Sequence, residues 1–406
     1  MRGKFAVGID IGTYQVKVVV AEESSEKHAM PNILGVGYAE SKGLRHGYII
    51  NQNDAIKSIR KAISQAEKAS HHKIEKVFVS IGGIGLSSVT AVGSIMISRA
   101  DSEISDIDLE KVAKECQSQI PSAITMNRQI IHQIPLEYKI DGKNVLGNPI
   151  GMKGVKLEVK MLFVTCLIHH VNELISTIEG AGVEIIDVMA SPLAAGLVTL
   201  SKTERIAGCV LANIGSETAS IVVYENDIPI ALEVFPIGSN DITNDIALGL
   251  KVSLDDAEKI KKGRNEGIKE TGVPQKKLDD IIFSRLKDIF ELIDVNLKKI
   301  GKSGLLPAGI IITGGGSGIV NIEDLAKASL KLPSKTAKIA CDTNNVKCGN
   351  ANTSIKIKDA TWSVSYGLCM FGLYSDEFNA LNSGSKSNFI GDIVKKIIGM
   401  FHKFLP

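Results

Sequence analysis

Three glycine-centred clusters carry the residue types and spacing that can do chemistry in this sequence. A glycine turn between two β-strands presents consecutive backbone N–H groups that cradle a phosphate, and glycine permits the close approach. The run from Gly8 to Thr13 (GIDIGT) has that form. Asp10, at a strand end, can hold Mg²⁺ through water, Gly12 can form the turn, Thr13 can donate to phosphate oxygens and Lys17 on the next strand can supply positive charge. A short motif of this kind is equally well read as a plain hairpin. The third cluster is sharper: an apolar strand, Gly309 to Ile312, runs into Thr313, Gly314, Gly315, Gly316, Ser317 and Gly318, a turn bare enough to admit a flat nucleoside. Upstream, Ser253 to Asp256 reads as a helix start and Gly263 as its stop. On that helix Glu258 can accept from ribose hydroxyls and Lys261 can face a nucleotide; a solvated charged face is the alternative for either one.

The elements that must position these residues alternate apolar, glycine-bounded runs with longer helical patterns, which reads as α/β. The chain also repeats itself. Asp10 to Val20 aligns without gaps on Asn213 to Val223, an offset of 203 residues, and each copy is strand, glycine turn, strand, then a further strand and a helix. Two related halves with a cleft between them are expected. Residues 84–166 interrupt the first half with Ile/Val alternation around one helix, opened by a capping-box-like Ser105 to Asp108, and read as a separate small α/β unit. Residues 375–388 lose periodicity and gain Ser, Asn and Gly, the marks of a flexible linker.

Beyond the linker, Phe389, Ile390, Ile393, Val394, Ile397, Ile398, Phe401, Phe404 and Leu405 fall on one helical face, with Asp392, Lys395, Lys396, His402 and Lys403 on the other. A wide apolar face flanked by lysines is the pattern of a helix lying in a membrane interface, where each lysine near an anionic leaflet adds about 1 kcal/mol. Docking of this helix on the chain's own core is the competing reading.

Composition bounds the rest. At 406 residues and 44% hydrophobic content the chain exceeds one core, so two or more domains are expected. The 47 basic and 45 acidic residues leave a formal charge of +2, so no global field draws nucleic acid. The six cysteines are scattered with no metal-ligand spacing, as in a reduced, cytosolic chain. The first apolar run is too short and too polar for a signal peptide, and no stretch is long enough to span a bilayer.

In order and spacing the three clusters, with connecting helices at 191–200 and 362–372, resemble the actin superfamily. Within it, Ile134 to Tyr138 (IPLEY), Asn148 to Met152 (NPIGM), Val155 to Val159 (VKLEV) and the tail resemble the FtsA family of bacterial cell-division proteins. The likeness covers nearly the whole chain. It implies an α/β, actin-like (ribonuclease H-like) duplicated ATPase fold: two lobes around a nucleotide cleft, an inserted small α/β subdomain and a C-terminal amphipathic helix. Its divisions would be lobe I at 1–83, 167–205 and 359–374, the SHS2-like insert at 84–166, and lobe II at 206–225 and 306–358. Subdomain 2B would span 226–305, followed by the linker and a membrane-targeting helix at 389–405. ATP with Mg would be held by Asp10, Gly12, Thr13, Lys17, Gly215, Ser216, Thr218, Glu258, Lys261, Gly314, Gly315, Gly316 and Ser317. The partners implied are FtsZ, docking on subdomain 2B with Arg285 as a contact, further copies of the chain in polymers, later division proteins on the insert, and an anionic membrane surface. The expected place is peripheral, on the cytoplasmic face of the inner membrane at the septum, anchoring the Z ring.

The second cluster departs from the pattern. Relatives usually read Asp-x-Gly-Gly-Gly-Thr, whereas this chain has Asn213, Ile214, Gly215, Ser216, Glu217 and Thr218. Asn213 cannot neutralise Mg²⁺ or help polarise an attacking water, and Glu217 brings negative charge toward phosphates. Bound ATP with weak turnover at most is expected. A sugar kinase or phosphatase of the same fold would need the missing acid. A PilM-like pilus-assembly platform would share the insert but usually lacks the basic tail, and a heat-shock chaperone would need a further domain.

Overall fold

The computed structural model describes residues 4–24, 30–267, 274–339 and 359–374. The chain opens with β1 (Phe5–Ile11), β2 (Gln15–Glu22) and β3 (Asn32–Glu40), an antiparallel meander. A small hairpin, β4 (Leu44–Arg45) and β5 (Tyr48–Ile49), leads to α1 (Gln52–Ser70), and α1 leads to β6 (Lys76–Ile81). Asn51 caps α1 by accepting from Asp54 N, and the helix buries its Ala55, Ile59, Ala62, Ile63 and Ala66 stripe on the sheet.

Next comes the insert: β7 (Ser87–Met96), α2 (Asp106–Ser118), α3 (Ser122–Thr125), β8 (Arg128–Ile140), β9 (Lys143–Val145) and β10 (Lys156–Leu167), with sheet order β7-β10-β8-β9. The capping box is present, Asp108 Oδ2 accepting from Ser105 N at 3.0 Å. Pro135 stands in β8 beside a register shift and beyond the reach of β9, where its missing N–H breaks no ladder bond. Gly93 lets α2 lie close on β7, since a Cβ there would sit 2.4 Å from Cys116 N.

The chain then completes the first sheet through α4 (Ile168–Ala181) and β11 (Glu184–Ala190), and crosses over by α5 (Ser191–Thr199) and α6 (Lys202–Ala207). The second half runs β12 (Cys209–Ile214), β13 (Ala219–Glu225), β14 (Ile228–Phe235), α7 (Ser239–Leu250), α8 (Leu254–Asn265), α9 (Gln275–Lys299), β15 (Gly309–Thr313), α10 (Ile322–Leu330) and β16 (Ser334–Thr336). α11 (Ser363–Tyr374) follows. The expected stop at Gly263 is corrected: α8 continues two residues further, with Gly263 buried inside it, because burial against neighbours outweighs the intrinsic cost of about 1 kcal/mol.

The repeat seen in the sequence is a repeat of topology. The first sheet reads β11-β6-β1-β2-β3, and the second, in the same sense, β16-β15-β12-β13-β14. In each the inner pair is parallel and the leading hairpin antiparallel. Strands buried on both faces explain the near-continuous apolar runs. In β12, Cys209 and Leu211 face a core shared with the first sheet, α5 and α11. Val210, Ala212 and Ile214 face the opposite way, into a core made with α7, α8, α9 and α10.

Candidate functional site

Each half contributes one glycine turn at the end of its leading hairpin. Gly12 N donates to Gln15 O at 3.2 Å, and Gly215 N donates to Thr218 O at 2.8 Å. A Cβ on Gly12 would lie 3.0 Å from Gln15 O and one on Gly215 would lie 3.0 Å from Thr218 O, so the two turns are the same local solution. The first turn of α7 secures the second: Ser239 N and Asn240 N donate to Gly215 O and Ser216 O at 2.9 and 2.7 Å.

Asp10 and Lys17 are cross-strand partners in β1 and β2. Asp10 Oδ1 accepts from the Ser80 hydroxyl at 2.8 Å. Burial pushes the Asp10 carboxyl up, while Lys17 and Ser80 oppose it. Burial pushes the Lys17 ammonium down, against the pull of Asp10 and Asp359. Lys17 Nζ donates to Thr361 O at 2.8 Å and stands 5.7 Å from the centroid of the Trp362 ring.

Gly314 begins the third turn at φ 89°. A side chain there would be strained, and its Cβ would fall 2.3 Å from Asn213 Oδ1. Gly315 opens on empty space. From α8, the buried Lys261 Nζ reaches Glu258 Oε2 at 2.7 Å, Thr243 Oγ1 at 2.7 Å and Ser239 O at 3.1 Å. Burial pushes the Glu258 carboxyl up, but bonds from Lys261 and Thr243 outweigh it and hold the group below its ordinary range. Burial pushes Lys261 down against Glu258. Lys262 crosses to Tyr14, its Nζ 5.5 Å from the ring centroid.

These groups surround one cavity of about 540 Å³, within the range of small-molecule sites. Asp10, Gly12, Thr13 and Lys17 line it from the first half; Gly215, Ser216, Thr218, Glu258, Lys261 and Gly314 to Gly316 line it from the second. Ser317 does not reach the wall; its hydroxyl donates to Gly314 O at 2.7 Å. Glu217 is also outside the wall, turned toward His46. Arg285 lies away from the cavity on α9, paired with Asp245 at 2.7 Å. Ser80, Asn240, Asp359 and Trp362 line the cavity without having been singled out for it. The lone tryptophan in an apolar helix pattern was the only available signal among them. The linker 375–388 and the tail residues from Phe389 to Leu405 lie outside the described residues. No helix among the described residues is long and apolar enough to cross a membrane.

Two sheets of identical order, each presenting a glycine turn to a common cleft, define the actin-like ATPase class of fold. Solved structures agree on the fold. The PilM–PilN type IV pilus biogenesis complex matches with a TM-score of 0.65 at 17% identity, over 91% of this chain and 98% of that one. MreB5 of Spiroplasma citri bound to ADP matches with a TM-score of 0.53 at 13% identity, over 94% and 99%. The insert and second half narrow the class: residues 83–165 match the SHS2 domain inserted in FtsA, and residues 210–367 match the cell division protein FtsA. FtsA of Borreliella burgdorferi is 31% identical over 99% of both chains. FtsA of Bacillus subtilis is 30% identical over 94% of this chain and 86% of its own length, and that of Pseudomonas aeruginosa 28% identical over 96% and 94%. The chain belongs to the FtsA family of cell division proteins.

Proposed function

We propose that this protein binds Mg-ATP in the cleft between its lobes, self-assembles, and ties FtsZ filaments to the cytoplasmic face of the inner membrane through residues 389–405. What supports the nucleotide reading most directly is that two phosphate-type turns, Gly314 to Gly316 and the Glu258/Lys261 pair line one cavity of fitting size. The glycine turns offer backbone N–H groups to the phosphates, Gly315 leaves room for the nucleoside, and Glu258 offers a carboxylate to the ribose. Among the described residues no cluster of three or more His, Cys, Asp or Glu could hold a metal. Magnesium would rely on phosphate and water oxygens, with Asp10 as the protein's carboxylate, and would neutralise phosphate charge. Asn213 lines the cavity where an acid would polarise water. ATP then serves chiefly as a ligand that holds the lobes together, with little turnover.

The tether reading rests on family membership and on the lysine-flanked apolar pattern of the tail. Subdomain 2B, 226–305, is the proposed FtsZ dock and the insert the proposed face for neighbouring copies and later division proteins. Co-sedimentation of FtsZ polymers with anionic liposomes, comparing the full chain with one ending at Gly384, tests it. Recruitment that disappears with the tail is expected. FtsZ left in solution by both chains would overturn the tether.

A further inference from the structure

The loop between β4 and β5 touches both glycine turns. His46 and Gly47 have φ of 49° and 82°, the two left-handed residues of a tight hairpin. A Cβ on Gly47 would lie 2.4 Å from Gly83 Cα, so the hairpin is wedged against the end of β6 and cannot drift. Its two N–H groups point at opposite lobes. Gly47 N donates to Thr13 Oγ1 at 3.2 Å, and His46 N donates to Glu217 Oε2 at 2.5 Å, with His46 Nδ1 3.2 Å from Glu217 O.

We propose that Glu217 is a positioning residue that latches the phosphate turn of lobe II to the His46–Gly47 hairpin of lobe I and so keeps the cleft closed on its nucleotide. This rests on the ATP reading. Opening the phosphate end of the cleft must break a charge-assisted hydrogen bond. Glu217 turns its charge toward a backbone N–H and stands outside the cavity wall. Thr13 serves both tasks, because a hydroxyl accepts from Gly47 N while its own O–H remains able to donate to a phosphate oxygen.

The chain's one tryptophan, Trp362, lines the cavity, so energy transfer from it to a fluorescent N-methylanthraniloyl ATP reports occupancy. Chasing bound analogue with excess Mg-ATP gives the release rate. Glu217→Ala removes the latch and is expected to release about tenfold faster. Glu217→Gln keeps an acceptor for His46 N–H and falls between it and the native chain. Slower release from both variants would mean that Glu217 acts by repelling phosphate, and unchanged release from Glu217→Ala would also overturn the latch. Amide exchange at His46 in the nucleotide-free chain decides the latch separately: protection in the native chain that is lost in Glu217→Ala supports it, and equal exchange overturns it. A native chain that takes up no analogue, and shows no heat with Mg-ATP, overturns the nucleotide reading instead, with the His46 exchange still deciding the latch.

Discussion

Of two buried histidines, His132 ties the insert to lobe I and His170 packs within lobe I, and burial disfavours the charged form of both. His132 Nε2 accepts from Ala190 N at 2.9 Å, so Nδ1 carries the hydrogen, and that nitrogen has no partner. Burial pushes His132 down to about 3. Burial likewise takes His170, packed on Tyr48, down to about 4. A folded pKa below the unfolded value means that the unfolded chain takes up protons first. The stability these groups contribute is complete above about pH 6.5 and falls as the pH drops toward their folded values. At pH 5 each loses roughly 2 kcal/mol relative to pH 7.5. Urea denaturation at the two pH values is expected to show the loss, and to show less of it in His132→Gln, which can still accept from Ala190 N. An undiminished difference in that variant would refute the assignment.

The crossing of α5 and α11 beneath both sheets decides how the lobes are joined. A Cβ on Gly367 would fall 1.9 Å from Ala194 O, and one on Gly8 would fall 2.1 Å from Ser365 O. Both clashes are with backbone, which cannot swing aside. Gly367→Ala is therefore expected to cost roughly 3 kcal/mol, read as a lowered melting midpoint. Gly315→Ala, whose Cβ meets nothing within 4 Å, should melt like the native chain yet bind Mg-ATP more weakly by calorimetry, because its methyl enters the cavity. A Gly315→Ala chain with native affinity would remove the third turn from the site. On α9, Arg285 pairs with Asp245 and Asp288 while nearly one-third exposed, so Arg285→Ala should change stability by about 1 kcal/mol or less. If Arg285 touches FtsZ, the same change weakens binding of an FtsZ tail peptide in a fluorescence-polarisation titration.

At the scale of the molecule, the two lobes are joined by one continuous apolar core but clasp the cavity from opposite sides. A ligand bound to both lobes favours the folded, closed state. At one hundred times its dissociation constant Mg-ATP should stabilise the chain by about 2.7 kcal/mol, visible as a rise in melting temperature. No rise would count against nucleotide binding in this cleft. The insert is pinned separately to lobe II, where the Ser88 hydroxyl donates to Leu232 O and accepts from Leu232 N, both at 2.8 Å.

The duplicated halves, the glycine turns and the separate insert could be read from the residues alone, because strand alternation, tight turns and helix caps are local. Asp10 and Lys17 belonged to one hairpin and so were legible as a pair. Gly263 was misread as a stop because only its burial inside α8 offsets its helix propensity. The direction of Glu217 could not be read at all, since its partner, His46, lies 171 residues away. Ser80, Asp359 and Trp362 escaped for the same reason: Ser80 reaches the cavity from β6 and Asp359 and Trp362 from the turn before α11, all distant in sequence from the glycine turns. Residue order determined the two glycine turns and the cleft expected between the halves; only tertiary packing decided which distant side chains meet in that cleft, because long-range burial sets relations between segments that no local pattern encodes.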